Sequence, residues 1–228
     1  MNIYLDIETL PCDDPEFIAS IAKTITAPAQ YKKPESVAEW LKDNKEQATK
    51  DAIAKTSFDG MYGSIACVCF AFGDGDVFSL SVNSEFTERD LLISLNNAIE
   101  DALSVDYTGG ATEQKAAFVG QNIVGFDLPF LKHRSMILGV KPTAQLLGAM
   151  CAKPWDACIA DTMLMWSSDS QRRASMDKLC KAFGIPGKGN FDGSMVADTW
   201  PHDPQKVIDY CKADVERTRQ IYKRMTFQ

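Results

Sequence analysis

The sequence predicts an α/β protein, a mixed β-sheet flanked by α-helices, and three observations carry that prediction. The N-terminus alternates apolar and polar residues at the period of a strand. Two further strand-like runs meet at a Gly-Asp-Gly turn, and the C-terminal part repeats its apolar residues at helical spacing. With 228 residues, 45% hydrophobic and 24% charged, a core can form, and one domain over residues 1–228 is expected.

Ile3, Leu5 and Ile7 alternate with Tyr4, Asp6 and Glu8, so residues 2–7 read as a strand that ends before Pro11 and the acidic pair Asp13 and Asp14. The next stretch has no clear period and is broken by Pro28 and Pro34. Ser36 and Glu39 have capping-box spacing and are expected to open a charged helix running to about Lys55. Residues 31–59 read either as an inserted arm or as decoration. Residues 64–72 and 76–82 are expected to form a hairpin turning at Gly73, Asp74 and Gly75. Thr87 opens a helix with Leu91, Leu92, Leu95 and Ile99 on one face.

Residues 107–114 are rich in turn formers, 116–120 reads as a buried strand, and a helical pattern runs from Asp127 to a stop at Gly139. Short helices are expected over 162–166 and 175–183, with a Ser/Arg-rich loop between them and a Gly-rich loop at 184–189. A long terminal helix from Pro204 aligns Val207, Tyr210, Cys211, Asp214, Thr218, Ile221, Tyr222 and Met225.

The longest apolar run, 65–72, is strand-sized, so no membrane span is expected. The start from Met1 carries no basic, apolar leader, which sets the expectation of a cytoplasmic protein. Seven cysteines in no metal or redox pattern read as buried, reduced thiols, and with His133 and His202 the sole histidines no zinc site is expected. A net charge of −7 weighs against a phosphate-rich partner. Residues 130–190 soften this, with nine bases against four acids, and a metal-binding carboxylate site itself adds negative charge.

Asp6 and Glu8, two apart on a strand, point to one face and offer hard oxygen ligands from a rigid platform. Solvated residues at a strand end would look the same. Asp127 stands where a helix begins, as a cap, a ligand or both. Tyr210 and Asp214 are four apart on one helix face, where Asp214 could equally pair with Arg217 while Tyr210 packs.

Taken in order, Asp6-Ile7-Glu8-Thr9, then Asn122 with Phe126-Asp127, Phe130 and Leu131, then Tyr210 with Asp214, resemble the three motifs of the DEDD 3′–5′ exonucleases. Tyr210 points to the tyrosine subclass, since the histidine subclass would place a histidine at position 209, which is Asp209. The chain most resembles stand-alone relatives of the proofreading exonuclease domain of family-B DNA polymerases, and residues 176–188 are similar to a further segment of that group, with Met176 in place of leucine.

The resemblance implies a ribonuclease H-like fold and two Mg²⁺ or Mn²⁺ ions. Asp6 would bridge them, Glu8 and Asp214 would hold the ion on the attacking-water side, and Asp127 would support the other. Tyr210 would orient the nucleophile. Thr9, Leu10, Asn122 and Phe126 would lie near the terminal nucleotide, with core packing an equal reading of Phe126. Lys178, Lys181 and Lys188 would meet backbone phosphates or stay solvated, and Asp161 would cap a helix.

The implied activity is release of nucleoside 5′-monophosphates from single-stranded nucleic acid, DNA favoured over RNA. An RNA exonuclease similar to ribonuclease D or oligoribonuclease and a non-catalytic nucleic-acid-binding module remain as alternatives. With no polymerase domain after Gln228, replication or repair proteins would be partners in trans.

Overall fold

The computed structural model describes residues 1–104, 116–167 and 173–228. The alternating N-terminal run forms β1 (Asn2–Leu10), which continues past the expected Ile7 and is the middle strand of a five-stranded sheet. On one side β1 pairs antiparallel with β2 (Ser64–Phe72), and β2 with β3 (Phe78–Ser81) across the expected hairpin. On the other side β1 runs parallel to β4 (Ala117–Gly120) and β4 to β5 (Ile159–Asp161).

Between β1 and β2 stand α1 (Pro15–Thr24) and α2 (Pro34–Ala54), and α3 (Glu88–Ser104) follows β3. Helices α4 (Asp127–Ile137) and α5 (Ala144–Cys151) lie between β4 and β5. After β5 come α6 (Thr162–Trp166), α7 (Met176–Phe183), α8 (Val196–Thr199) and α9 (Pro204–Met225). The turn-rich stretch 107–114 and positions 168–172 of the Ser/Arg-rich loop lie outside the described residues.

Because the central strands are covered on both sides, their alternation sorts two cores instead of core and solvent. Ile3, Leu5, Ile7, Val68 and Phe70 pack with Leu91, Leu95, Ile99 and Leu128 on one face. On the other, Tyr4, Cys67, Cys69 and Ala71 meet Val207, Cys211 and Val215 of α9. The face of β1 that alternation alone leaves polar is therefore roofed by the terminal helix. A bulge in β2 opposite the Glu8–Thr9 step pairs Glu8 with Cys67 but Thr9 with Ile65. Ile65 and Cys67, two apart, consequently enter opposite cores.

Several local readings change. The stretch without period contains α1, capped by Asp14, whose carboxylate accepts the Glu16 amide at 2.9 Å, with Pro15 in the first turn. Helix α2 begins at Pro34, so Ser36 lies inside its first turn, bonded to the Lys33 carbonyl at 2.9 Å, and no capping box forms. Of the free cysteines Cys151 is exposed and Cys158 half-buried, unlike the other five. No described helix is long and apolar enough to cross a membrane.

After α2 a 3₁₀ turn, Lys55–Phe58, brings the chain back against the end of β1. The Cys12 amide donates to Thr56 Oγ1 at 2.7 Å, and Thr9 Oγ1 donates to the Ser57 carbonyl at 2.6 Å. A Cβ at Gly63 would stand 2.6 Å from the Thr56 carbonyl oxygen and 2.8 Å from that of Leu10, so only glycine lets the chain pass there.

Candidate active site

Asp6 and Glu8 stand on β1 opposite Cys69 and Cys67 of β2, on the face that α9 covers. One oxygen of each carboxylate and the Cys211 sulfur all lie within 4.8 Å of one another. The pairing of β1 with β4 spans only Asn2 to Tyr4. Further along, the Ile7 amide donates instead to Asp127 Oδ1 at 3.1 Å, which draws a third carboxylate to the strand. Asp127 is the first residue of α4 and not its cap: Phe126 holds the capping position and makes no side-chain cap.

Helix α9 supplies the fourth carboxylate. Asp214 is 2% exposed, and Tyr210, one turn earlier, is buried too. Arg217 Nη1 donates to Asp214 Oδ1 at 2.7 Å, and the Lys188 ammonium donates to Oδ2. Lys188 also donates to the Tyr210 hydroxyl at 2.6 Å and lies 4.8 Å from its ring centre. Phe191 packs edge-on against the same ring at 5.0 Å. Arg217 reaches further, to the carbonyls of Pro186 (3.1 Å) and Gly187 (2.9 Å), and so ties the Gly-rich loop to α9.

Both expected alternatives for Asp214 are thus present at once, the Arg217 pair and the place among the acids. Lys188 points inward instead of toward solvent, whereas Lys178 and Lys181 are exposed on α7. Sequence reasoning placed Lys188 outside the acids because nothing in a Gly-Lys-Gly loop shows where it folds; its 22-residue distance from Tyr210 became a contact only in three dimensions.

The site carries surplus negative charge. Burial, then repulsion from Asp127, Glu8 and Asp214, pushes the Asp6 carboxyl well above its ordinary range. Burial, then Cys67 and Asp214, does the same to Glu8. Asp127 is raised to about 7, mainly by burial, with its amide hydrogen bonds opposing and Asp161 and Asp214 adding. Tyr210 is raised by burial and by Asp214, so its hydroxyl keeps its proton at neutral pH. Burial disfavours the Lys188 ammonium, but Asp214 outweighs it and the lysine stays charged. Among the described residues the cations within hydrogen-bonding distance are Lys188 and Arg217, and both are spent on Asp214. A carboxylate set so unbalanced suits added divalent cations, which favour such hard oxygen donors.

The remaining expected contacts divide. Thr9 faces away from the acids and gives its hydroxyl to Ser57, and Leu10 is part-buried against the α9-side core. Asn122 adopts a left-handed backbone (φ 62°), and its amide and that of Val124 donate to Asp161 at 3.0 and 3.1 Å. Asp161 also caps α6 as expected, accepting the Met163 and Leu164 amides. Phe126 is half-buried, its ring centre 5.7 Å from Phe130 and 6.3 Å from Phe58. Phe58, which the sequence did not single out, is 71% exposed beside it.

No curated protein matches this chain. Among solved structures it is similar to the family B DNA polymerase from the hyperthermophilic archaeon Pyrobaculum calidifontis, with a TM-score of 0.57 and 13% identity over 99% of this chain. The chain spans 24% of the length of that polymerase. The likeness is one of fold, a ribonuclease H-like mixed sheet flanked by helices. A family model described as a predicted 3′–5′ exonuclease related to the exonuclease domain of PolB matches residues 64–228, which take in Asp127, Tyr210 and Asp214 and leave β1 outside. With most of its length under that model, the chain belongs to this family of PolB-related predicted 3′–5′ exonucleases.

Proposed function

We propose that the chain is a DEDD exonuclease of the tyrosine subclass that removes nucleoside 5′-monophosphates from the 3′ end of single-stranded DNA. The observation that carries this reading is the convergence of Asp6, Glu8, Asp127 and Asp214, from β1, α4 and α9, beside a tyrosine whose hydroxyl stays protonated. Asp6, Glu8, Asp127 and Asp214 would hold Mg²⁺ or Mn²⁺. Two such ions, when bound, would neutralise the acids, acidify the attacking water and stabilise charge on the leaving 3′-oxygen.

The chain's own groups prepare that chemistry. Lys188 holds the Tyr210 hydroxyl by its 2.6 Å hydrogen bond and Asp214 by the adjoining one, so both sit in one orientation before substrate arrives. Phe191 prevents the Tyr210 ring from turning away. Asp127, fixed by the Ile7 amide, keeps its distance from the acids on either side of that amide. Phe126 and Phe58 offer ring faces on which unpaired bases can stack without regard to sequence, which suits a single strand. Asn122 opens the turn that leads into Phe126, its carbonyl accepting the Phe126 amide at 3.0 Å.

The reading is tested by digesting 5′-labelled single-stranded DNA and RNA of one sequence with Mg²⁺, Mn²⁺ or EDTA. The expected result is a metal-dependent ladder shortening from the 3′ end, faster on DNA. Faster loss of the RNA would move the assignment to an RNA exonuclease. Tight binding without cleavage of either would leave a binding module.

A further inference from the structure

Behind the acids lies a softer donor set that the proposed hydrolysis does not use. Cys67 and Cys69, two apart on β2, face α9, from which Cys211 meets them. Their three sulfurs lie within 4.8 Å of one another, and all three residues are 0% exposed. An ion held by thiolates at about 2.3 Å in a tetrahedron needs sulfur–sulfur spacings of roughly 3.8 Å, so the trio closes on it with shifts of about 1 Å or less.

Cys211 links the trio to the acids. The Cys211 sulfur is also within 4.8 Å of carboxylate oxygens of Asp6 and Glu8, and the strand register sets Glu8 beside Cys67 and Asp6 beside Cys69. Both acids are half-buried on the face of β1 that the sulfurs share. An ion would replace the weak hydrogen bonds the three thiols make with one another and the donations of Cys211 to the Asp6 carbonyl (3.4 Å) and of Cys69 to that of Ile208 (3.8 Å). Thiolates select soft or borderline ions, whereas Mg²⁺ and Mn²⁺ prefer oxygen.

We propose that Cys67, Cys69 and Cys211, with one carboxylate of Asp6 or Glu8, form a site for a thiophilic divalent cation such as Zn²⁺ or Cd²⁺, and that filling it stops hydrolysis by withdrawing that carboxylate. The three thiols release their protons to solvent as the ion binds. Inhibition rests on the nuclease reading given above; binding does not.

The test uses the full chain with Cys151→Ser and Cys158→Ser, which removes the accessible thiols. Cd²⁺ alone is titrated in while the ultraviolet thiolate-to-Cd²⁺ charge-transfer band and the heat of binding are followed. One equivalent should bind with a band characteristic of three thiolates. Cys67→Ala and Cys211→Ser should each weaken binding by at least about tenfold, since even loss of an outer-shell partner costs that much. Cys180→Ala, a buried thiol elsewhere, should change nothing. Cd²⁺ should also suppress Mg²⁺-supported cleavage, with the Cys211→Ser protein needing at least about tenfold more. No band at one equivalent, or a band that survives both trio substitutions, would overturn the site. A normal band in a protein that cleaves neither DNA nor RNA would uphold the site and overturn the nuclease reading instead.

Discussion

The amide of Ile7, flanked in sequence by Asp6 and Glu8, donates to Oδ1 of Asp127 at 3.1 Å across a separation of 120 positions. One hydrogen bond thus fixes the third carboxylate against the first two. Asp127→Asn keeps an acceptor there and removes the charge, whereas Asp127→Ala removes both. Both variants should lose cleavage. Only the alanine should also lose stability, by about 1–3 kcal/mol, because it leaves a buried amide unpaired. Urea denaturation of the two proteins checks this, and equal midpoints would show that the bond does not hold the site together.

Lys188 touches Tyr210 and Asp214 together, so its loss should act on the chemical step. Lys188→Ala is expected to lower kcat by about a hundredfold or more with little change in KM. Steady-state kinetics on a single-stranded oligonucleotide distinguishes the roles. A raised KM with kcat intact would make Lys188 a phosphate contact, one of the two parts expected for it from the sequence.

Asp127 rises from 3.8 to about 7, and Asp6 and Glu8 rise well above their ordinary values. Groups raised in the folded state bind protons that the unfolded chain has released, so their stabilisation is complete below the unfolded pKa and is lost as pH climbs through the folded one. Without divalent cations Tm should therefore fall as pH climbs from about 4 through about 7, and Mn²⁺ should recover it at the upper end. A metal-free Tm that rises steadily over that range would mean that the acids do not repel one another as described.

How much of this was legible in the sequence depends on the range over which each feature is decided. Asp6 and Glu8 could be placed on one strand face, and Tyr210 and Asp214 on one helix face, because periods of 2 and 3.6 are local facts. The burial of the Asp6 face could not be read, since it depends on α9 folding over β1 from the other end of the chain. The start signal of α1 at Asp14 and Pro15 went unread, because its stripe of Phe17, Ile18, Ile21 and Ala22 is confined to ten residues and only half-buried. Strand β5 is three residues long, too short to show a period, and exists because β4 offers it an edge. Lys188 reaches the site from a loop whose course Arg217 sets, and Phe58 ends the 3₁₀ turn that Thr9 ties to β1.

Phe58 exposes its ring beside the half-buried Phe126, an arrangement suited to stacking a base. Phe58→Ala should raise KM for single-stranded DNA by about fivefold or more, the effect of losing roughly 1–3 kcal/mol of stacking, and leave kcat nearly unchanged. Unaltered KM would assign that surface to something other than substrate.

The central claim is that the four converging acids cleave phosphodiester bonds. It is tested most directly by comparing the wild type with Asp6→Ala and Asp214→Ala on 5′-labelled single-stranded DNA in Mn²⁺, with circular dichroism confirming that each variant is folded. Stepwise shortening from the 3′ end is expected of the wild type and none of either folded variant. Cleavage at the wild-type rate by either variant would contradict it.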